Sequence, residues 1–199
     1  MAAMATAPIP RRDWSSGLAS LLRFMRGRGG LEDAFEGMLA LAGPMVEREY
    51  RAFVAHPVGQ AMLAESPRRD LNAFLGDCER LQKMPAGSMA AAYLAYMGGE
   101  GMGTAEGFLQ AAGVEEKAAR FGWSADHLWF VRRMANSHDL FHLVAGYGRD
   151  VVGEVGVDAF TAGQIPMLPL RIFLGYLLLL KPSQPLVWTR FVWQAYRRG

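Results

Sequence analysis

Cysteine is nearly absent: Cys78 stands alone among 199 residues. No disulfide can form within the chain, and a reducing compartment is the natural setting. Excess charge is nearly absent too, since 21 basic and 19 acidic residues leave a net charge of +2. The Arg and Lys residues are dispersed, which argues against nucleic acid as a partner. No apolar run is long enough to cross a bilayer. The most apolar stretch, IPMLPLRIFLGYLLLL at residues 165–180, is interrupted by Pro166, Pro169 and Arg171, whereas a helical span needs about 20 residues. The opening MAAMATAPIPRRDW lacks the apolar core of a secretory signal and is expected to form a short flexible tail. Alternation at period two is missing throughout, so no strand is expected.

What is present is helical pattern and enough apolar side chain for a core: 51% hydrophobic residues against 20% charged. We expect an all-α protein, with a tail and first short helix over 1–29 and one helical domain over 30–199. LEDAFEGMLALAG repeats its apolar residues at three and four and carries acids in its first turn, as a helix start prefers. Residues 44–55 read as a second helix ending before His56-Pro57. A third is expected from Ser66-Pro67, with Ser66 as cap, to about Lys83. Ser88 should cap a short Ala-rich helix, GGEGMG at 98–103 should be a loop, and Thr104 should cap another helix. An apolar helix (170–181), a turn at 181–185 and an amphipathic last helix, LVWTRFVWQAYRRG, close the chain.

The stretch SHDLFHLVAGYGRDVVGE, residues 137–154, carries the chemistry. Ser124 should cap a helix over about 125–145. On it Leu128, Val131, Met134, Ala135, His138, Phe141, His142 and Ala145 form one apolar stripe. His138 and His142 therefore point inward, and Asp139 sits at the stripe's edge. GYGR (146–149) breaks the helix, and a second is expected over about 149–163. In one straight helix His142 and Glu154 would be about 18 Å apart. If the glycines reverse the chain into an antiparallel pair, residue 148 becomes the pivot. His142 then faces Glu154, His138 lies one turn deeper, and Asp158 falls opposite His138. Two imidazoles and Glu154 could share a divalent metal, with Asp139 joining directly or through water. The set suits Zn²⁺, Fe²⁺ or Mn²⁺. Two hydrogen-bonded core histidines and an exposed Asp158 fit the same pattern. His56 and His127 look structural.

The spacing His-Asp-x-x-His, eleven residues, Glu, present as His138, Asp139, His142 and Glu154, resembles the signature of the coenzyme Q biosynthesis protein 4 family. Its surroundings, HDLFHLVAGYGRDVVGEVGVDAFTAGQIPM, are similar throughout, and LQKMPAGSMAAAYLAYM resembles an upstream family segment, with Met84 and Ala90 as departures. The likeness covers roughly residues 70–199, and the GYGRD turn is of the bacterial type. A further short segment would be expected after AYRRG.

The resemblance implies an all-helical fold and a divalent metal, usually zinc, on His138, Asp139, His142 and Glu154. It also implies removal of the C1 carboxylate of a polyprenyl-hydroxybenzoate in ubiquinone synthesis, in some accounts with hydroxylation of that carbon. It implies association with other ubiquinone-synthesis enzymes, and a bacterial member would sit in the cytoplasm against the inner membrane. Within such a site Asp139 would move the proton. Arg149, with the free N–H groups of the second helix, would cradle the substrate carboxylate. A solvated loop cation is the plain alternative for Arg149. The last helix would lie on the membrane surface or form a homodimer seam. The rival function is a non-catalytic isoprenoid-binding scaffold with a structural metal. A His-Asp phosphohydrolase is set aside, because His127 would lie about 15 Å along the helix from His138.

Overall fold

The structure is a computed structural model that describes residues 11–98, 107, 109–110, 113–165, 168, 170–172, 174–175 and 185–199. The expectations for residues 1–10, for the 99–103 loop, for Thr104, for Pro166 and Pro169 and for the 176–184 segment lie outside these residues. The described chain is helical and contains no strand.

Helix α1 (Trp14–Met25) starts where the Asp13 carboxylate accepts the Ser16 N–H at 3.0 Å. Helix α2 (Leu31–Ala55) runs through Pro44, where the sequence reads as two helices. A proline inside a helix lacks an N–H, so the carbonyl four residues before it has no intrahelical partner. That carbonyl belongs to Ala40, and it accepts the Asp13 N–H at 2.9 Å. Arg12 Nε adds a bond to the Leu41 carbonyl at 3.1 Å. The N-terminal segment thus satisfies the backbone that the proline leaves open, and α2 continues. Helix α1 then packs along α2 and buries Leu21 and Leu41, each worth roughly 1.5–3 kcal/mol.

His56 caps α3 (Pro57–Ala64) by accepting the Val58 N–H on Nδ1 at 3.2 Å. The helix expected from Ser66 to Lys83 is instead two short ones, α4 (Leu71–Gly76) and α5 (Cys78–Gln82). Asp70 accepts from the N–H groups of Asn72 and Ala73, and Asp77 accepts from that of Arg80. Two aspartates thus provide caps inside the expected helix, each starting a new one. Ser88 caps α6 (Met89–Met97) as expected. Next come α7 (Val114–Phe121) and α8 (Ala125–Asn136), the latter capped by Ser124. Helices α9 (His138–Ala145), α10 (Val151–Gln164) and α11 (Pro185–Arg198) follow. The helix that reads as continuous over 125–145 is parted at Ser137, whose Oγ donates back to the Arg133 carbonyl at 2.9 Å, a local competition that bends helices.

Three apolar clusters hold these elements. The first joins Leu39, Ala42, Met45 and Val46 of α2 to Leu109, Val114 and Val131. The second joins Val155, Ala159 and Ala162 of α10 to Ala195 of α11, with Leu170 and Leu174. The third joins Leu75, Leu81, Ala90 and Tyr93, and receives Leu140 and Leu143 from α9. Helices α9 and α10 are packed on each other. The pair therefore stands between the second and third clusters, with its facing side chains half-buried apart from the buried His142. Beside the first cluster, buried Glu47 meets His127 Nε2 at 3.0 Å, and His127 Nδ1 meets Ser124 Oγ at 2.8 Å. His127 is structural, as expected.

Candidate metal centre

The reversal between α9 and α10 is made by Gly146, which ends α9 in the left-handed conformation at φ 72°, a geometry that glycine adopts without strain. The chain turns through Tyr147–Arg149 and re-enters a helix at Asp150, whose carboxylate accepts the N–H groups of Val152 and Gly153 at 2.8 and 2.9 Å. This capping corrects one expectation. The N–H groups read as a cradle for a substrate anion are already taken by the chain's own carboxylate.

The turn brings His138, His142 and Glu154 together. His138 Nε2 lies 3.2 Å from Glu154 Oε2, His142 Nε2 lies 3.2 Å from His138 Nε2, and His142 Nε2 lies 3.5 Å from Glu154 Oε2. His142 is 1% exposed, and its other nitrogen, Nδ1, faces the main-chain oxygens of Gly148 at 3.0 Å and Tyr147 at 3.3 Å. Carbonyl oxygens only accept, so Nδ1 carries the proton and Nε2 presents a lone pair. A carboxylate oxygen and a bare imidazole nitrogen, both acceptors, converge with a second imidazole on one point. Such a set can hold a cation there. In the metal-free chain a single proton on His138 Nε2 can serve both acceptors.

A divalent metal fits the same point. Donors about 2.0–2.2 Å from a tetrahedral ion lie about 3.3 Å from each other, and the three separations bracket that value. The Nδ1 bond to a backbone carbonyl is the arrangement that orients metal-bound histidines. Asp139 lies beside the triad, but the donor atoms that lie within 4.8 Å of one another belong to His138, His142 and Glu154.

The electrostatics follow from crowding charge in a half-buried place. Burial pushes the Glu154 carboxyl up, but the imidazoles of His138 and His142 outweigh it and hold it at about 2. Burial pulls His138 down, yet its bond to Glu154 and the charges of Asp158 and Asp139 leave it above its ordinary value. Burial raises Asp139, against the pull of His138, His142 and Arg149. Asp158 is raised to about 6 by burial. It acts on His138 by charge, as the mirrored register predicts, and no hydrogen bond joins the two among the described residues.

Two features of the centre are not readable from the sequence. The first is Tyr96 of α6, whose ring lies 5.4 Å from that of His142. The Arg149 guanidinium sits over the Tyr96 ring at 4.9 Å and donates to the Tyr96 carbonyl at 3.2 Å. Tyr96 belongs to a distant segment, so no local spacing announces it. The second is Gly153, where a Cβ would overlap the Gly148 carbonyl. The pair of glycines at Gly153 and Gly156 on one face of α10 is the available signal. Tyr147 packs over the second, with its ring 2.6 Å from where a Cβ would be.

Comparison with known proteins shows the family of the chain. The family model described as "Coenzyme Q (ubiquinone) biosynthesis protein Coq4" matches residues 39–199. The mitochondrial ubiquinone biosynthesis protein COQ4 of Pyricularia oryzae is 30% identical over 166 residues, covering 82% of this chain and 50% of that protein. The mitochondrial COQ4 homolog of Rattus norvegicus is 26% identical over 145 residues, 72% of this chain and 51% of that one. The chain thus spans about half the length of these curated relatives. A crystal structure of a Nostoc punctiforme protein assigned to ubiquinone biosynthesis superposes with a TM-score of 0.59 at 19% identity, covering 94% of this chain and 84% of that one. That likeness shows the fold.

Proposed function

The chain belongs to the Coq4 family of coenzyme Q (ubiquinone) biosynthesis proteins, and on that footing we propose that it removes the C1 ring carboxylate of a polyprenyl-hydroxybenzoate with the help of a divalent cation. The observation that carries this reading is the convergence of His138, His142 and Glu154 on one point with cation-sized separations. Zinc suits two nitrogens and a carboxylate, and iron or manganese suits them nearly as well.

A cation bound there would supply Lewis acidity toward the substrate carboxylate or a ring oxygen. The protein's own residues do the rest. Arg149 pairs with the anionic substrate. Asp139, raised by burial, holds a proton more readily than a solvated carboxyl and delivers it to C1. The C1–carboxylate bond breaks, its electron pair stays on C1, the Asp139 proton joins that carbon, and CO₂ leaves. Asp139 regains its proton from water. An oxidative version, with hydroxylation at C1, would additionally require O₂ and a redox-active ion such as iron. A purely structural metal in a lipid-binding scaffold would close its coordination with a fourth protein ligand. An open coordination position facing an apolar tunnel would mark the enzyme instead.

The isoprenoid tail of such a substrate resides in a bilayer. No helix among the described residues is long and apolar enough to cross one. Helix α11 exposes Leu186, Val187 and Trp193 beside Arg190, Arg197 and Arg198, a mixture that suits an anionic membrane surface. We place the protein at the periphery of a bacterial inner membrane, alongside other ubiquinone-synthesis enzymes. The defining test pairs elemental analysis with product detection. His142→Ala and Glu154→Ala should each lose both stoichiometric metal and the decarboxylated ring, while full turnover by metal-free protein overturns the reading.

A further inference from the structure

Arg149 sits in the turn between α9 and α10, outside any helix. A long side chain there has many rotamers, and a turn alone does not choose among them. Its guanidinium is nevertheless held twice by one residue of another element: Nη1 donates to the Tyr96 carbonyl at 3.2 Å, and Cζ stands 4.9 Å over the Tyr96 ring. The same ring lies 5.4 Å from the His142 ring, inclined by 34°. Tyr96 therefore contacts both the metal-facing imidazole and the guanidinium.

The platform beneath it is rigid. One turn earlier on α6, Tyr93 is 5% exposed and packs with Leu75, Leu81 and Ala90, and Leu140 and Leu143 of α9 close the same cluster. Helix α6 is thereby fixed to the helix that carries both histidines. We infer that Tyr96 is a positioning residue, which holds the Arg149 guanidinium at the metal centre so that an anionic group bound there meets it. This inference rests on the reading of the triad as a metal centre that binds a carboxylate. Its discriminating prediction is that Tyr96 acts through its ring face and main chain, not through its hydroxyl, and on anion binding rather than on metal binding.

The test uses the full chain loaded with cobalt(II), whose visible spectrum reports ligands entering the coordination sphere, and 4-hydroxybenzoate as the probe. Tyr96→Leu should weaken the probe about five- to thirtyfold, the scale of a partly desolvated cation–π contact, with cobalt affinity unchanged. Tyr96→Phe should bind the probe as wild type does. Should Tyr96→Leu not fold, Tyr96→Gln takes its place with the same expectation. Wild-type probe affinity in the Leu or Gln variant overturns the inference, as does an equal loss in Tyr96→Phe. A parallel loss of cobalt affinity in Tyr96→Leu also overturns it, since Tyr96 would then act through His142. If Arg149→Gln loses the probe while Tyr96→Leu keeps it, the carboxylate reading stands and the inference alone falls. If wild-type cobalt protein does not bind the probe at all, both fall.

Discussion

The Nδ1 of His142 and the carbonyl oxygen of Gly148 are 3.0 Å apart, and this bond, the shorter of two to main-chain carbonyls, turns Nε2 toward Glu154. It exists because the Gly146 turn folds back onto α10 at Gly153, where a Cβ would overlap the same carbonyl. The tautomer that turns Nε2 of His142 toward Glu154 is therefore set by a backbone approach that only glycine permits.

Gly153→Ala should push the Gly148 carbonyl away and release the His142 ring. Loss of such a partner typically lowers metal affinity about 10- to 100-fold. Competition with a chromogenic chelator would measure it, and an unchanged affinity would show that the tautomer is set by something else.

The metal-free protein should be most stable in weak acid. Burial raises Glu154, but His138 and His142 outweigh it and hold the carboxyl at about 2, below its ordinary 4.5, so its contribution is present above 4.5 and lost as pH falls toward 2. His138 is raised above its ordinary 6.5, where burial is outweighed by Glu154, so its contribution is full below 6.5 and lost as pH rises through the folded value. Thermal melts from pH 3 to 8 should peak between these limits. Zinc, which replaces the shared proton, should remove the decline on the alkaline side. A metal-free melt that keeps rising to pH 8 would contradict this account.

Asp158 supplies a second pH handle. Burial raises it to about 6 from an ordinary 3.8, so the fold loses stability as pH climbs from 3.8 to about 6, where the unfolded chain has already ionised, and the loss levels off above 6. The cost approaches about 3 kcal/mol at most, because each tenfold change in proton affinity is worth about 1.4 kcal/mol. Asp158→Asn should stabilise the metal-free protein at pH 8 and have little effect at pH 4. Denaturant midpoints at the two pH values check the difference.

Glu47 separates fold from site. It is 5% exposed and bonded to His127 and Arg51. Glu47→Ala would strand a buried imidazole and should cost roughly 2–4 kcal/mol of stability. Metal stoichiometry in the folded fraction should be unaffected, since the pair belongs to the α2–α8 packing. Elemental analysis after gel filtration reads this directly.

Trp193→Ser combined with Leu186→Ser should abolish flotation with anionic vesicles if α11 meets the membrane. Retained flotation would move the lipid contact elsewhere.

The all-helical class, the Ser88 and Ser124 caps and the inward histidines are legible in the sequence because each depends on neighbours within one or two turns. The pairing of His142 with Glu154 is legible for the same reason, since the glycine turn lies midway between them. What escapes depends on distant partners. Pro44 reads as a break because its rescuer, the Asp13 N–H, comes from another helix. The cap at Ser66 loses to Asp70 and Asp77, a contest that composition alone does not decide. Tyr96 and Gly153 matter through what approaches them, and a periodic pattern records only which face a residue occupies.

The bond from Asp13 N–H to the Ala40 carbonyl also specifies the alignment of α1 on α2. Leu41 seated against Gly17 and Leu21 seated against Gly37 hold the same offset by shape. By placing a proline four residues downstream, the chain adds a vacant acceptor at that offset, and the first helix latches at that rung.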